Sequence, residues 1–494
     1  MHDYGIANDY SYSSMFNILS HMKPSKAQDR TMDILNDALN SIDVDIAVFN
    51  SALSVITKAK NKKANAVAFE ILAKLEDGTY PVKPDKYTFS TLMASLAHQG
   101  TVDAAQKVEV LYQRMMDRYE TEISKNPKFT PTIKPDTFNY NSIISAWANI
   151  GTKESCRNAE NYLDRLIIDD GSMGPDIASF SGLINGCSQR NDEEAAADCE
   201  RILNKLEDYC KHTPIRWQFS NYIQTMTAYS KANNPEGCLR VLQSLVRKMD
   251  SENFQIESTR DANQLKQVYE YVISSYKALE KNGDALPKLQ HIFEIQEADG
   301  RIKPSHFMYC SLMDSHAMRR HPDSLKEVDK ILERIIEENK TERYAAFPSI
   351  AIYNLLFKAC ELCPTCSDNS NTNDNPAIIA FDRFTQSQAS AMNINPTMQT
   401  YVHLLAICTN HVQEDAQREK MARFLFQKCC SDGMLSDAIL STFKSAMSDN
   451  NFEKVVSDFI RPKQLGKRIT IKDFPHKHKR NAEKPKKYRG ARQY

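Results

Sequence analysis

The chain has 494 residues, with Lys+Arg and Asp+Glu equal at 63 each, so its formal net charge is zero; 41% of residues are hydrophobic and 26% charged. That balance supports a substantial core and excludes wholesale disorder, and no apolar run approaches the roughly 18–20 residues that cross a bilayer. Only 14 residues are glycine, well below the usual share of about 7%, which disfavours folds built on tight turns and favours long helices.

The N-terminal MHDYGIANDYSYSS is acidic and polar. It lacks the Arg-rich, acid-poor amphipathic helix of an organelle presequence, so the expectation is cytoplasm or nucleus, or an incomplete start. Twelve scattered cysteines without a secretory leader read as reduced thiols.

Self-similarity then runs along the chain. NDYSYSSMFNIL begins at Asn8 and VDIAVFNSALSVITKAK at Val44. KPDKYTFSTLMASLAHQG begins at Lys83, KPDTFNYNSIISAWANIG at Lys134 and GPDIASFSGLINGCSQRN at Gly174. Looser copies start at Thr213, Leu265, Lys303, Phe347 and Asn395. With each unit opened just after the Pro-x pair, the units are 46–85, 86–136, 137–176, 177–215, 216–265, 266–305, 306–349, 350–397 and 398–436. Residues 1–45 form N-terminal helices or a degenerate unit, 437–460 a terminal capping helix and 461–494 a tail.

Each unit reads as two helices. In 137–176, Tyr140, Ile143, Ile144 and Trp147 make one apolar stripe, and Cys156, Ala159, Tyr162, Leu163 and Leu166 make a second after Gly151. Asp169, Asp170, Gly171 and Gly174 break the helix, Pro175 forbids its continuation, and Asp176 stands where it caps the next. One such pair cannot bury both stripes, whereas stacked pairs can. The expected fold is therefore all-α, a right-handed α-solenoid of about ten helix-turn-helix units.

The tail hides a charge asymmetry: 461–494 holds thirteen Lys and Arg against Asp473 and Glu483. Without hydrophobic period, it reads as a disordered basic arm that neutralises phosphates, serves as an import signal or simply solubilises. His476 and His478 within it add charge rather than ligation. Cys360, Cys363 and Cys366 include a CxxC, half of a zinc site, but no second half lies at matching spacing, so they read as adventitious loop thiols and no metal is expected. Adjacent Cys429 and Cys430 are a poor chelate. No P-loop, GxGxxG, HExxH or GxSxG is present, so the chain reads as non-enzymatic and without a cofactor.

The recurrent Pro-Asp followed five residues later by Asn or Ser, clearest in IKPDTFNYNSIISAWANIG, resembles the pentatricopeptide-repeat (PPR) family. The resemblance runs over about residues 9–450, most clearly 44–215, with units longer than the usual 35. It implies binding of single-stranded RNA, one base per repeat, read by the fifth and last residues of each unit. Carried over, Ser13 with Asp45 resembles a guanine reader, Asn50 with Asp85 a uracil reader, Ser90 with Asp136 a guanine reader and Asn141 with Asp176 a uracil reader. The implied core is 5′-GUGU-3′. Second-position Tyr87, Phe138, Trp217 and Phe307 replace the family's aliphatic residue and are expected to stack on bases, each worth about 1–3 kcal/mol. Family habit adds RNA processing, stability or translation in a mitochondrion or plastid, with RNA-processing or ribosomal proteins as further partners and no membrane. Two rivals stand beside this reading: a solenoid scaffold that clasps protein partners, favoured by the acidic body, and a processing-enzyme subunit whose chemistry lies on another chain. The Asp residues as plain helix caps, worth about 1 kcal/mol each, are the simplest alternative for the individual positions.

Overall fold

The computed structural model describes residues 8–482 except 23, 60, 126–132, 169–173, 282–283, 342–346, 365–374, 390–393 and 461–468. Among the described residues the chain is all α, with 22 α-helices, two short 3₁₀ turns and no strand. None of these helices is long and apolar enough to cross a membrane. The helices divide between two compact units, with the boundary in the chain after Glu252.

The first unit holds six helical hairpins: α1 Asp9–Ser20 with α2 Pro24–Ser41, α3 Ile46–Thr57 with α4 Lys62–Glu76, α5 Lys86–Ala97 with α6 Val102–Lys125, α7 Thr137–Ala148 with α8 Lys153–Ile168, α9 Ile177–Ser188 with α10 Ala195–His212, and α11 Phe219–Lys231 with α12 Pro235–Ser251. The second holds five: α13 Thr259–Leu279 with α14 Leu286–Asp299, α15 His306–Met318 with α16 Pro322–Thr341, α17 Ile350–Leu362 with α18 Pro376–Ala389, α19 Met398–His411 with α20 Asp415–Asp432, and α21 Asp437–Ser445 with α22 Asp449–Ser457. Within each unit the first helix of every hairpin packs on its own second helix and on the first helix of the next, the α-solenoid arrangement.

The hairpins follow from a short grammar. Proline before the cap stops the preceding chain, and the cap side chain accepts the N–H three residues on, as Asp85 does from Thr88 at 2.9 Å and Asp176 from Ser179 at 2.9 Å. The fourth residue of eight first helices is then a buried aromatic, Tyr12, Phe49, Phe89, Phe180, Tyr222, Tyr309, Tyr353 and Tyr401, and Tyr269 is buried likewise further along α13. Several of the tyrosines satisfy their hydroxyls on a second helix, as Tyr222 does by donating to Glu207 (2.7 Å) and Tyr269 to Asp299 (3.2 Å). Second helices are linked by ion pairs, and within the helices the acid lies on the earlier and the base on the later, in Asp29–Lys63, Glu76–Arg114, Asp164–Lys205, Glu200–Arg240, Glu297–Arg334 and Asp329–Arg383, whereas Lys153–Glu194 and Arg423–Asp458, at helix caps, run the other way.

Three expectations change. The terminal capping helix is two helices, α21 and α22, because Ala446 to Ser448 turn the chain between them. The basic tail is ordered over residues 469–482: Gly433, at φ +71°, ends α20 so that the Leu435 N–H donates to the His478 carbonyl (2.9 Å) and Asn481 N–H to that of Gly433 (2.9 Å). Phe474 is buried there against Phe426, and His478 is buried with Nδ1 3.0 Å from the Cys430 carbonyl, so it is a packing group rather than a surface charge. Residues 461–468 and 483–494 of the tail lie outside the described part. Finally, Cys360 is not a loop thiol: it is buried in α17, and burial pushes its pKa well up; Cys363 caps that helix, and Cys366 lies outside the described residues.

In the second unit Asp314 of α15 is clamped between Lys277 of α13 (2.9 Å) and Lys358 of α17 (2.6 Å). Burial raises its pKa, but the two ammonium groups outweigh burial and hold the carboxyl below its usual value. A carboxyl depressed on folding stabilises above its unfolded pKa and loses that contribution as pH falls through the folded one, so the clamp's contribution begins to fade as pH drops below about 4. Asp314→Asn is therefore expected to lower the melting temperature at pH 7, with the difference from the unaltered protein shrinking as pH is taken from 7 to 3, as read by circular dichroism.

Candidate nucleic-acid interface

The residues expected to read bases sit at the junctions between consecutive first helices. The structure brings two of the four pairs together directly. Asn50 on α3 donates Nδ2 to Asp85 Oδ1 at 3.0 Å, and Asn141 on α7 donates to Asp176 Oδ1 at 3.0 Å. A third pair of the same geometry lies in the second unit, where Asn354 donates to Thr397 Oγ1 at 3.1 Å. The fifth side chains of α3 and α7, Asn50 and Asn141, are therefore polar, half-exposed and fixed in orientation, with Asp Oδ1 engaged both by the Asn amide and by the capped N–H.

The other two pairs are arranged differently. Ser90 is buried, and its hydroxyl accepts from Asn139 Nδ2 at 2.9 Å rather than meeting Asp136, which pairs with Lys86 instead. Ser13 is half-buried on α1; Asp45 caps α3, accepting the Val48 N–H at 3.1 Å, while its own N–H donates to Asp9 Oδ1 at 3.3 Å. No hydrogen bond joins Ser13 to Asp45 among the described side chains.

Two registers shift. The looser copy from Thr213 opens its helix at Phe219 with Gln218 as cap, so Ser181 faces the Gln218 junction rather than Ile215, and Ser220 is a second residue rather than a fifth. Leu265 closes no unit: α13 begins six residues earlier, at Thr259, and buries Leu265. Its fifth-position Glu270 nonetheless keeps the junction geometry, accepting from Ser305 at 2.6 Å.

Of the second-position aromatics, Tyr87 (68%), Phe138 (52%) and Phe307 (42%) are exposed. Trp217 is not: it is buried edge-on against Phe219 and Tyr222, with Nε1 donating to Glu252 at 2.8 Å. The register shift explains this, since Trp217 precedes the cap and lies outside the helix. Trp147 is likewise core, its Nε1 donating to Glu109 at 2.8 Å.

The sequence reading missed the third residue of each first helix. Thr88, Asn139, Ser179, Asn221 and Thr400 are buried and form the other side of each junction. The signal was present, a polar residue three after the cap, but it doubles as the ordinary partner of a capping box. Among the described residues no cluster of His, Cys, Asp or Glu is arranged to hold a metal ion.

No protein-family model and no curated protein matches the chain. Among solved structures it is similar to the pentatricopeptide repeat protein PPR10 in complex with an 18-nt psaJ RNA element, at TM-score 0.46 and 14% identity over 92% of this chain and 59% of that one. It is similar to PPR10 from maize at TM-score 0.36 and 15% identity over 92% and 58%. Yeast Rmd9p in complex with 16nt target RNA is also similar, at TM-score 0.36 and 11% identity over 91% of each chain. The chain spans about three-fifths of the length of PPR10.

Proposed function

We propose that the chain is a PPR-like adaptor that binds single-stranded RNA along the row of helix junctions, without chemistry of its own. The observation that carries the reading is the recurrence of one polar device, Asn50–Asp85, Asn141–Asp176 and Asn354–Thr397, at the same register of separate hairpins. Capping alone needs only the Asp or Thr; it does not need an amide placed against it from the hairpin before. Each device offers an amide and a carboxylate or hydroxyl side by side, a donor and acceptor set suited to the edge of an unpaired base. Tyr87 and Phe138, exposed beside the first two junctions of this row, add stacking faces.

Roles in RNA processing, stability or translation in a mitochondrion or plastid, with RNA-processing or ribosomal proteins as partners, belong to the same proposal. The competing use, a scaffold clasping a protein, gains from the junctions' being satisfied internally, and the same assay separates them. Asn141→Ala with Asp176→Ala is expected to weaken preference for uracil at one RNA position and to leave the base preferences at the other positions unchanged. If the double variant binds every RNA as the unaltered protein does, the assignment of Asn141 and Asp176 fails.

A further inference from the structure

Five polar junctions couple a fifth residue to the third residue of the next first helix, and these couples come in two reciprocal kinds. In the first kind the amide comes first: Thr88 Oγ1 donates to Asn50 Oδ1 at 2.8 Å, Ser179 to Asn141 at 2.5 Å and Thr400 to Asn354 at 2.7 Å. In the second the hydroxyl comes first: Asn139 Nδ2 donates to Ser90 Oγ at 2.9 Å and Asn221 to Ser181 at 2.8 Å. Every one of these couples joins one amide to one hydroxyl. The space between successive first helices at this level thus fits that combined volume; two amides overfill it and two hydroxyls leave a void.

The two kinds present different groups. Where the amide comes first, its oxygen is held by the hydroxyl and its nitrogen by the cap, so the amide cannot flip, and the long side chain stands at the junction. Where the hydroxyl comes first, the amide belongs to the following helix and turns inward: Asn139 Oδ1 accepts the Asp136 N–H at 3.0 Å, and Asn221 Oδ1 the Gln218 N–H at 3.2 Å. The serine Oγ accepts from that amide and keeps its own proton to give. It is also shorter, leaving room for a wider ring.

We propose that Thr88, Asn139, Ser179, Asn221 and Thr400 are positioning residues coupled to the fifth residue of the preceding first helix, so that the pyrimidine preference the resemblance implies for Asn and the purine preference it implies for Ser each require a third-residue partner of the opposite kind, hydroxyl for amide and amide for hydroxyl. This rests on the RNA-reading proposal above. It places Ser181 with Asn221 in the row as a purine junction, and it makes Ser179 and Asn221 positioning residues that act through the fifth residue.

The test is a swap at one junction in the full chain. Asn141→Ser, Ser179→Asn and the double swap are compared with the unaltered protein by fluorescence anisotropy, on single-stranded RNAs varied through the four bases at each position in turn, and by thermal melts. Each single change is expected to weaken binding to all the RNAs about fivefold or more and to lower the melting temperature. The double swap is expected to restore both and to move preference at one position from pyrimidine to purine by about tenfold. Ser179→Thr, which reproduces the Thr88 and Thr400 junctions, is expected to keep the original preference. The proposal is overturned if Asn141→Ser alone shifts preference as far as the double swap, or if the melts of the four proteins are additive. Failure of the unaltered protein to bind any of the RNAs overturns the RNA reading and this proposal with it, whereas binding with additive effects overturns only the coupling.

Discussion

Gly186→Ala is expected to destabilise the first unit by about 2–3 kcal/mol, although alanine is the better helix former by up to about 1 kcal/mol. Gly186 lies in α9 where that helix crosses α7. A Cβ built there falls 2.5 Å from the Ala148 carbonyl oxygen, 2.6 Å from the Ala148 Cβ and 2.7 Å from its carbonyl carbon. Two of these atoms are backbone, so no rotamer change relieves the overlap, and α7 and α9 must separate. The same two helices carry Asn141 and Ser179, so the junction between them loosens as well. For a unit of this size the loss corresponds to about 4–12 °C in melting temperature. A melt of Gly186→Ala at or above that of the unaltered protein rules out the close approach.

The second large effect centres on Arg190, which follows α9 with its side chain 1% exposed. Its guanidinium is bidentate to Asp192, with both contacts at 2.6 Å, and reaches Asp198 at 2.6 Å. Asp198 in turn meets Arg201, which with Lys205 holds Glu160 of α8. Burial opposes the charge on Arg190, but the two carboxylates outweigh it and push its pKa up. Hydrogen bonds from Arg190 hold Asp192 below the usual carboxylate range, and for Asp198 the bonds from Arg190 and Arg201 overcome the opposing effect of burial. Removing the guanidinium breaks three hydrogen bonds to charged groups, although Asp192 is 43% exposed and Asp198 keeps Arg201, so Arg190→Leu is expected to cost about 2 kcal/mol. Because the carboxyl pKa values are depressed, this contribution is present at neutral pH and fades as pH falls below about 4. The difference in chemical denaturation between Arg190→Leu and the unaltered protein should therefore shrink between pH 7 and pH 3; a difference constant with pH contradicts the network.

Much of the fold was legible because its signals are local. Proline, cap and apolar stripe recur together, and α5, α7, α9, α15, α17 and α19 begin where the Pro-x pair predicts, while α3 begins after its cap Asp45 without a proline. The reading slipped where one element of that grammar changed. Around Thr213 the proline stands four residues before the cap Gln218, instead of next to the cap as Pro84 and Pro135 do, and the register moved by three with it. In the unit at 266 the cap is absent from its usual place, and α13 extends through it. The tail was misread because its basic composition masks Phe474 and His478, whose burial depends on Gly433 and Phe426 some forty residues away. At the junctions the fifth residues and caps stood out in the sequence, but their third-position partners did not. A residue spaced for a capping box shows one function on its own helix, and only the packing of the next hairpin reveals the other.

The central claim is that the row of junctions reads unpaired bases, and a salt-titrated binding assay on single-stranded RNA containing GUGU and on a scrambled RNA of equal composition tests it most directly. The account predicts tighter binding to the GUGU strand at every salt concentration, with both affinities falling on parallel slopes as phosphate contacts are screened. Equal affinity for the two strands across the titration, or no binding to either at low salt, contradicts it.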